Sequence, residues 1–187
     1  MEMKVIYRVK LTPKSLEVNG KRVVCAEEGS SFLTQLYHAY HLDYPKFFKM
    51  DVLCKVGFIA SEILLAAEGV ERFVPRADRA VILFNRNSSL NADCTFQKTI
   101  ANPEEFYPSP SVFVYTLPNI VTGEIAIRNK YHGESSFILL SEKSQEAMNQ
   151  AIERAFLDAE TKSVLTGWVE AVSDTEFEAT LELVVRN

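Results

Sequence analysis

The order of apolar and polar residues predicts an N-terminal strand, a hairpin and a short helix. Residues 4–11 alternate apolar and polar side chains, which is the pattern of a strand with one buried face. Asn19 and Gly20 then separate two short apolar stretches, and this pair supplies both positive-φ positions of a type I′ turn. Ser30 or Ser31 is a candidate N-cap for the short amphipathic helix that follows.

A longer helix is predicted over residues 46–68, ending at Gly69. Apart from a thin polar stripe of Asp51, Lys55 and Glu62, almost every position in it is apolar. A helix that is apolar around most of its circumference is covered on two sides. We therefore expect its own sheet on one side and another layer or a partner subunit on the other.

The middle of the chain predicts a buried strand and a second helix. Residues 80–84 form a continuous apolar run, which is typical of a strand covered on both faces, and a polar segment over residues 85–91 follows. A helix is predicted over residues 118–129. Gly123 and Ala126 lie inside it, and small residues there predict close approach of another backbone.

The C-terminal part predicts a strand, a helix and two more strands. The strand over residues 135–140 leads directly into Ser141 and Glu142, which are expected to cap and charge a helix over residues 142–159. Two further strands follow it, over residues 163–172 and 177–183.

Strands that alternate with helices, including strands without polar alternation, predict an α/β fold with a mixed sheet. We expect about five strands packed with helices, plus the N-terminal hairpin. No linker or repeat divides the sequence, so residues 1–187 are predicted to be a single domain, with residues 1–44 as a possible N-terminal extension.

Composition narrows the function classes. The chain has 187 residues and a net charge of −5, and its lysines and arginines form no cluster, so neither nucleic acid nor an anionic membrane surface is an expected partner. No apolar run is long enough to span a membrane, and the N-terminus lacks the apolar core of a signal peptide. The three cysteines, Cys25, Cys54 and Cys94, include no CxxC pair and predict reduced thiols in a cytoplasmic protein.

Candidate chemistry is sparse. The sequence contains no nucleotide-binding, zinc-protease or serine-hydrolase motif, and no cofactor is expected. His38 and His41 are spaced to share one face of a helix, but they lack a third ligand, so a metal site is not favoured. The junction at Ser141 and Glu142 lies where the positive end of a helix dipole can activate a nucleophile, although capping alone explains both residue types.

Several short stretches between residues 45 and 185 carry a recognisable pattern. They are Ser109–Phe113 (SPSVF), Thr116–Ala126 (TLPNIVTGEIA), His132–Ser136 (HGESS) and Val164–Ala171 (VLTGWVEA). In order and spacing they resemble the N-terminal half of a β-ketoacyl synthase, one of the condensing enzymes of fatty-acid and polyketide synthesis. The resemblance implies half of a thiolase-like fold.

The resemblance also implies that the catalytic groups of these enzymes are missing. Counted from Gly133 without gaps, the position of the family's nucleophilic cysteine is Glu142, and with a one-residue gap it is Ser141. The family's two catalytic histidines belong to its second half, and His132 matches neither of them. The decarboxylating condensation requires a thiol nucleophile and residues that transfer protons, and by this resemblance the chain lacks both.

Three hypotheses on function follow. The first is a catalytically degenerate accessory subunit of an acyl-carrier-protein-dependent pathway, because chain-length-factor subunits related to the synthases also lack the cysteine. It would form a homodimer or a heterodimer with a full-length condensing enzyme, through the helix over residues 46–68 or the strand over residues 135–140. Acyl carrier protein is a further candidate partner. The others are a stand-alone binding domain for an acyl or other apolar ligand, and a hydrolase or decarboxylase that uses Ser141 or Glu142.

Overall fold

A seven-stranded sheet forms the centre of the protein. The computed structural model describes residues 2–25 and 31–186. The strands of the described part are β1 (Met3–Thr12), β2 (Ser15–Val18), β3 (Lys21–Cys25), β4 (Arg79–Asn85), β5 (Ser135–Leu139), β6 (Ser163–Ser173) and β7 (Glu176–Arg186). Their order in the sheet is β3-β2-β1-β7-β6-β4-β5. β4 pairs in parallel with β5 and β6, and the remaining pairs are antiparallel.

The predicted α/β class with a mixed sheet is therefore confirmed. The five expected strands and the hairpin are present, and the hairpin continues the same sheet because β2 pairs with β1. Its turn has the predicted geometry, since Asn19 has φ 51° and Gly20 has φ 78°.

Helices cover both faces of the sheet. They are α1 (Phe32–Ala39), α2 (Val52–Glu68), α3 (Leu90–Lys98), α4 (Pro110–Phe113), α5 (Ile120–Asn129) and α6 (Gln145–Ala155), with 3₁₀ turns at Pro45–Lys49, Pro103–Glu105 and Val114–Thr116. The larger core lies between the sheet and the layer that contains α1, α2 and α5. A second core lies under α6, against β4 and β6. No helix in the described ranges is long and apolar enough to cross a membrane.

The helix predicted over residues 46–68 is divided in two. Residues 45–49 form the 3₁₀ turn, Met50 is extended, and α2 begins after Asp51. The division has a local cause, because one carboxylate oxygen of Asp51 accepts a hydrogen bond of 3.0 Å from the Cys54 N–H and so caps α2. The C-terminal end was predicted correctly, since Gly69 adopts the left-handed conformation with φ 71°.

α2 is covered by elements of its own chain. It contacts β1, β6, β7 and α5, so its apolar circumference is explained without a partner subunit, and its use as a dimer surface is not supported. Glu62 does not belong to an exposed polar stripe either. It is buried and forms ion pairs with Arg72 and, at 3.6 Å, with Arg128.

The close backbone approach predicted at Gly123 and Ala126 occurs elsewhere. A Cβ atom added to Gly123 would meet nothing within 4 Å. A Cβ atom at Gly57 of α2 would instead collide with the Val121 side chain of α5. The glycine that brings these two helices together is therefore on α2, and the Gly123 face of α5 is open.

Candidate functional site

The carboxyl ends of the parallel strands lie together at one edge of the sheet, where ligands and reactive groups collect in α/β folds. The Leu140 N–H donates to the carbonyl oxygen of Asn85 at 2.9 Å, which places the end of β5 beside the end of β4. Ser141 and Glu142 come directly after this contact. The junction therefore lies at the carboxyl ends of β4 and β5.

α6 starts later than predicted, and this moves the junction away from the helix. The hydroxyl of Ser144 accepts a hydrogen bond of 3.3 Å from the Ala147 N–H, so Ser144 is the N-cap and α6 begins at Gln145. Ser141 and Glu142 lie in an exposed bend before the cap. They do not cap the helix, and the predicted span of residues 142–159 is too long at both ends.

No proton-transfer partner accompanies the junction. Within residues 2–25 and 31–186, the side chains of Ser141 and Glu142 take part in no hydrogen bond or ion pair. His132 precedes β5 and so lies at the opposite end of that strand. An activated serine needs a base within hydrogen-bond reach, and this arrangement supplies none from the described residues.

The other candidate residues are scattered. His38 is in the last turn of α1, whereas His41 follows the helix with φ 50°, so the two imidazoles do not share a helix face. No group of three metal-ligating side chains occurs in the described part of the chain. Cys54 is buried in α2, and burial raises the pKa of its thiol well above the usual value, whereas Cys94 is exposed on α3.

Two polar side chains near the carboxyl ends of the parallel strands were not identified as site residues from the sequence. One Glu170 carboxylate oxygen accepts from the Arg86 N–H at 2.9 Å, and the other has no hydrogen-bond partner among the described residues. The buried Asn85 amide bonds to the backbone of Ser88 in both directions, at 2.8 and 3.1 Å. The signal in the sequence was a polar residue at the end of a largely apolar run, over residues 80–84 before Asn85 and residues 164–169 before Glu170. Both groups hold the loop after β4.

β5 is an edge strand of the sheet. It pairs with β4 on one side, and the described residues pair with nothing on the other. In this parallel register the N–H groups of Phe137 and Leu139 point away from β4. The Leu139 side chain is 52% exposed. A groove of about 530 Å³ lies at the start of the strand, lined by Ser135, by residues 130–132 and by Gly123, Ala126 and Ile127 of α5.

Comparison with known proteins identifies the architecture. No family model and no curated protein matches the sequence. Among solved structures, the ishigamide ketosynthase/chain length factor is 17% identical, with a TM-score of 0.76 over all of this chain and 62% of that chain. This chain thus spans less than two thirds of the length of that relative.

Two further complexes agree with it. One contains the ketosynthase ApeO with its chain length factor ApeC from Xenorhabdus doucetiae, at 13% identity and a TM-score of 0.66 over 100% of this chain and 80% of that chain. The other is AntDE:AntF, a type II polyketide synthase acyl-carrier protein with its ketosynthase, at 14% identity and a TM-score of 0.59 over 99% and 62%. The chain therefore has the thiolase-like fold of ketosynthases and chain length factors, as the order of its sequence motifs predicted.

Proposed function

We propose that this protein is a non-catalytic accessory subunit that pairs with an active condensing enzyme in an acyl-carrier-protein-dependent pathway. The observation that carries the proposal is the junction after β5. Ser141 and Glu142, which the count from Gly133 assigns to the nucleophile position of the ketosynthases, are exposed, with no base beside either among the described residues. A carboxylate or an unassisted hydroxyl is a weak nucleophile toward a thioester. Residues 1–187 are proposed to form a single domain, since β1 to β3 continue the sheet.

The edge of β5 supports pairing with another subunit. An unpaired strand edge that carries apolar side chains is a template for a strand from another chain. Leu139 is exposed near the end of this strand, and the apolar groove at Gly123 and Ala126 reaches the strand at its first residue, Ser135. We propose that a condensing-enzyme subunit adds its own edge strand here, with a homodimer as the alternative product.

Affinity purification of the tagged full chain from its native cells tests this pairing. We expect a condensing enzyme, with or without acyl carrier protein, to be recovered at a near-stoichiometric level. Leu139→Lys adds a charge to the proposed strand edge and should abolish the recovery. Leu157→Lys is the matched control, because Leu157 is 77% exposed beyond the end of α6 and should leave recovery unchanged. Recovery of neither protein by the wild-type chain contradicts the proposal.

The hydrolase or decarboxylase hypothesis has a separate test. Acyl and malonyl thioesters are incubated with the wild-type protein and with the variants Ser141→Ala and Glu142→Ala. Equal rates for all three proteins, at the level of the uncatalysed reaction, are expected for an accessory subunit. A wild-type rate that either substitution removes contradicts the proposal and assigns the chemistry to this junction.

A further inference from the structure

The loop between α3 and α4 presents two aromatic side chains to solvent. Every residue from 101 to 108 is exposed, and the exposed fractions of Phe106 and Tyr107 are 58% and 77%. Neither side chain belongs to either core. Aromatic groups gain a large free energy on burial, and adjacent exposed apolar groups mark surfaces that another molecule covers. The loop is therefore a candidate contact with a partner.

The backbone of this loop is held in place although its side chains are exposed. The side-chain oxygen of Asn102 accepts a hydrogen bond of 3.1 Å from the Glu104 N–H. The Tyr107 N–H donates to the carbonyl oxygen of Thr99 at 3.1 Å. Three prolines over residues 103–110 each restrict their own φ angle. A loop that is ordered before binding loses less conformational entropy when a partner covers it.

The loop also carries negative charge. Glu104 and Glu105 precede the aromatic pair, and residues 99–127 contain no lysine or arginine. Among the described residues, neither carboxylate forms an ion pair, and neither does Lys98, the nearest cation along the chain. A second copy of this loop or an anionic membrane would repel the two carboxylates. The charge therefore favours a partner with a basic surface.

Further exposed apolar side chains connect the loop to the proposed pairing edge. Phe113, Val114 and Leu117 are exposed in the segment that leads from the loop to α5. Ile127 of α5 is also exposed, and it lines the groove at the start of β5. Exposed apolar groups thus recur along the chain from the loop to the start of β5, so one partner can cover both.

We propose that Phe106 and Tyr107 insert into an apolar pocket, rimmed by lysine and arginine, on the condensing-enzyme subunit that pairs with β5. This inference rests on the proposed function. The two aromatic groups supply affinity, because aromatic anchors in pockets carry much of the binding free energy of an interface. Attraction between the rim and the carboxylates of Glu104 and Glu105 accelerates association. The loop and the strand edge are then two contacts with one partner.

The dissociation constant between the full chain and the copurified condensing enzyme tests the aromatic contact. The double variant Phe106→Ala/Tyr107→Ala should raise the Kd at least about tenfold, which is the usual effect of truncating an interface anchor. Leu157→Ala is the matched control, because Leu157 is also 77% exposed but follows α6 on the opposite face of the sheet. An unchanged Kd in the double variant, with binding abolished by Leu139→Lys, would overturn this inference and leave the proposed function intact.

Association kinetics test the charge of the loop. Glu104→Gln/Glu105→Gln should lower the association rate constant about tenfold at low ionic strength and reduce its dependence on salt. Glu153→Gln/Glu160→Gln is the control, because it removes the same charge from two exposed positions in and after α6. Equal rate constants for the two double variants would show that only net charge matters and would contradict the basic rim.

Two further measurements distinguish other occupants of the loop. Light scattering of the chain alone and cosedimentation with phosphatidylcholine vesicles are each compared for the wild type and Phe106→Ala/Tyr107→Ala. The two proteins should behave alike in both assays. A homodimer that the variant dissociates would assign the loop to a second copy, and vesicle binding that the variant loses would assign it to a lipid surface. Either result would overturn the inference.

Discussion

Helix capping and burial have opposite effects on the pKa of the Asp51 carboxyl group. Its carboxylate caps α2, which favours the ionised form, but burial of the side chain has the larger effect and raises the pKa of this carboxyl from 3.8 to about 6. Between these pH values the folded protein holds a proton that the unfolded chain releases. The free energy of unfolding should therefore decrease as the pH rises from about 4 to about 6, by an amount on the order of 3 kcal/mol at most.

Asp51→Asn removes the titration and keeps a good N-cap residue. We expect the variant to be at least as stable as the wild type at pH 7 and to lose this part of the pH dependence. Urea unfolding at pH 4, 5, 6 and 7 measures both quantities. A variant that follows the wild-type pH dependence would show that another group causes it.

Substitution by alanine should have opposite effects on the free energy of unfolding at Gly133 and at Gly123. A Cβ atom at Gly133 would collide with the carbonyl oxygen of Arg79 and would come within 2.7 Å of that of Ala77, and backbone atoms cannot move aside cheaply. Gly133→Ala should therefore lower the free energy of unfolding by about 2 kcal/mol. Gly123→Ala meets nothing and should raise it by about 0.5–1 kcal/mol. Urea unfolding of both variants compares them, and destabilisation by Gly123→Ala would contradict the open face of α5.

At the scale of elements, the sequence predicted which segments are strands better than where helices begin. The strands followed from alternation or from continuous apolar runs, as at residues 80–84, which are all buried in β4. The start of a helix was predicted wrongly where two residues could serve as the N-cap. For α6, the sequence alone does not decide whether Ser141 or Ser144 caps the helix. α3 was missed because only Ala92 of its residues is buried, so it carries no apolar periodicity.

The corrected start of α6 gives a direct prediction. Ser144→Ala removes the hydroxyl that accepts from the Ala147 N–H and should lower the free energy of unfolding by about 1 kcal/mol. Ser141→Ala should change it by much less, since Ser141 is exposed and outside the helix. Denaturant unfolding of the two variants separates the alternatives, and a larger loss at Ser141 would restore the original helix start.

At the scale of the whole molecule, the sequence motifs predicted the fold, but periodicity alone could not order the strands in the sheet. The order places β5 at an edge and brings its end beside that of β4. Because of this order, one side of β5 is free to pair with a strand of another subunit, as proposed above. The junction residues were identified from the sequence, whereas the cavity between the start of α2, α3, α4 and the turn between β6 and β7 was not, because its walls come from segments far apart in the chain.

The most direct measurement is the incorporation of malonyl-derived carbon into an extended acyl thioester, carried out on the copurified complex and on this chain alone. The account predicts extension by the complex and none above background by the isolated chain, because it proposes that Ser141 and Glu142 stand where a condensing enzyme has its thiol nucleophile. Extension by the isolated chain at the rate of the complex, with an acyl group bound covalently to it, would contradict the account.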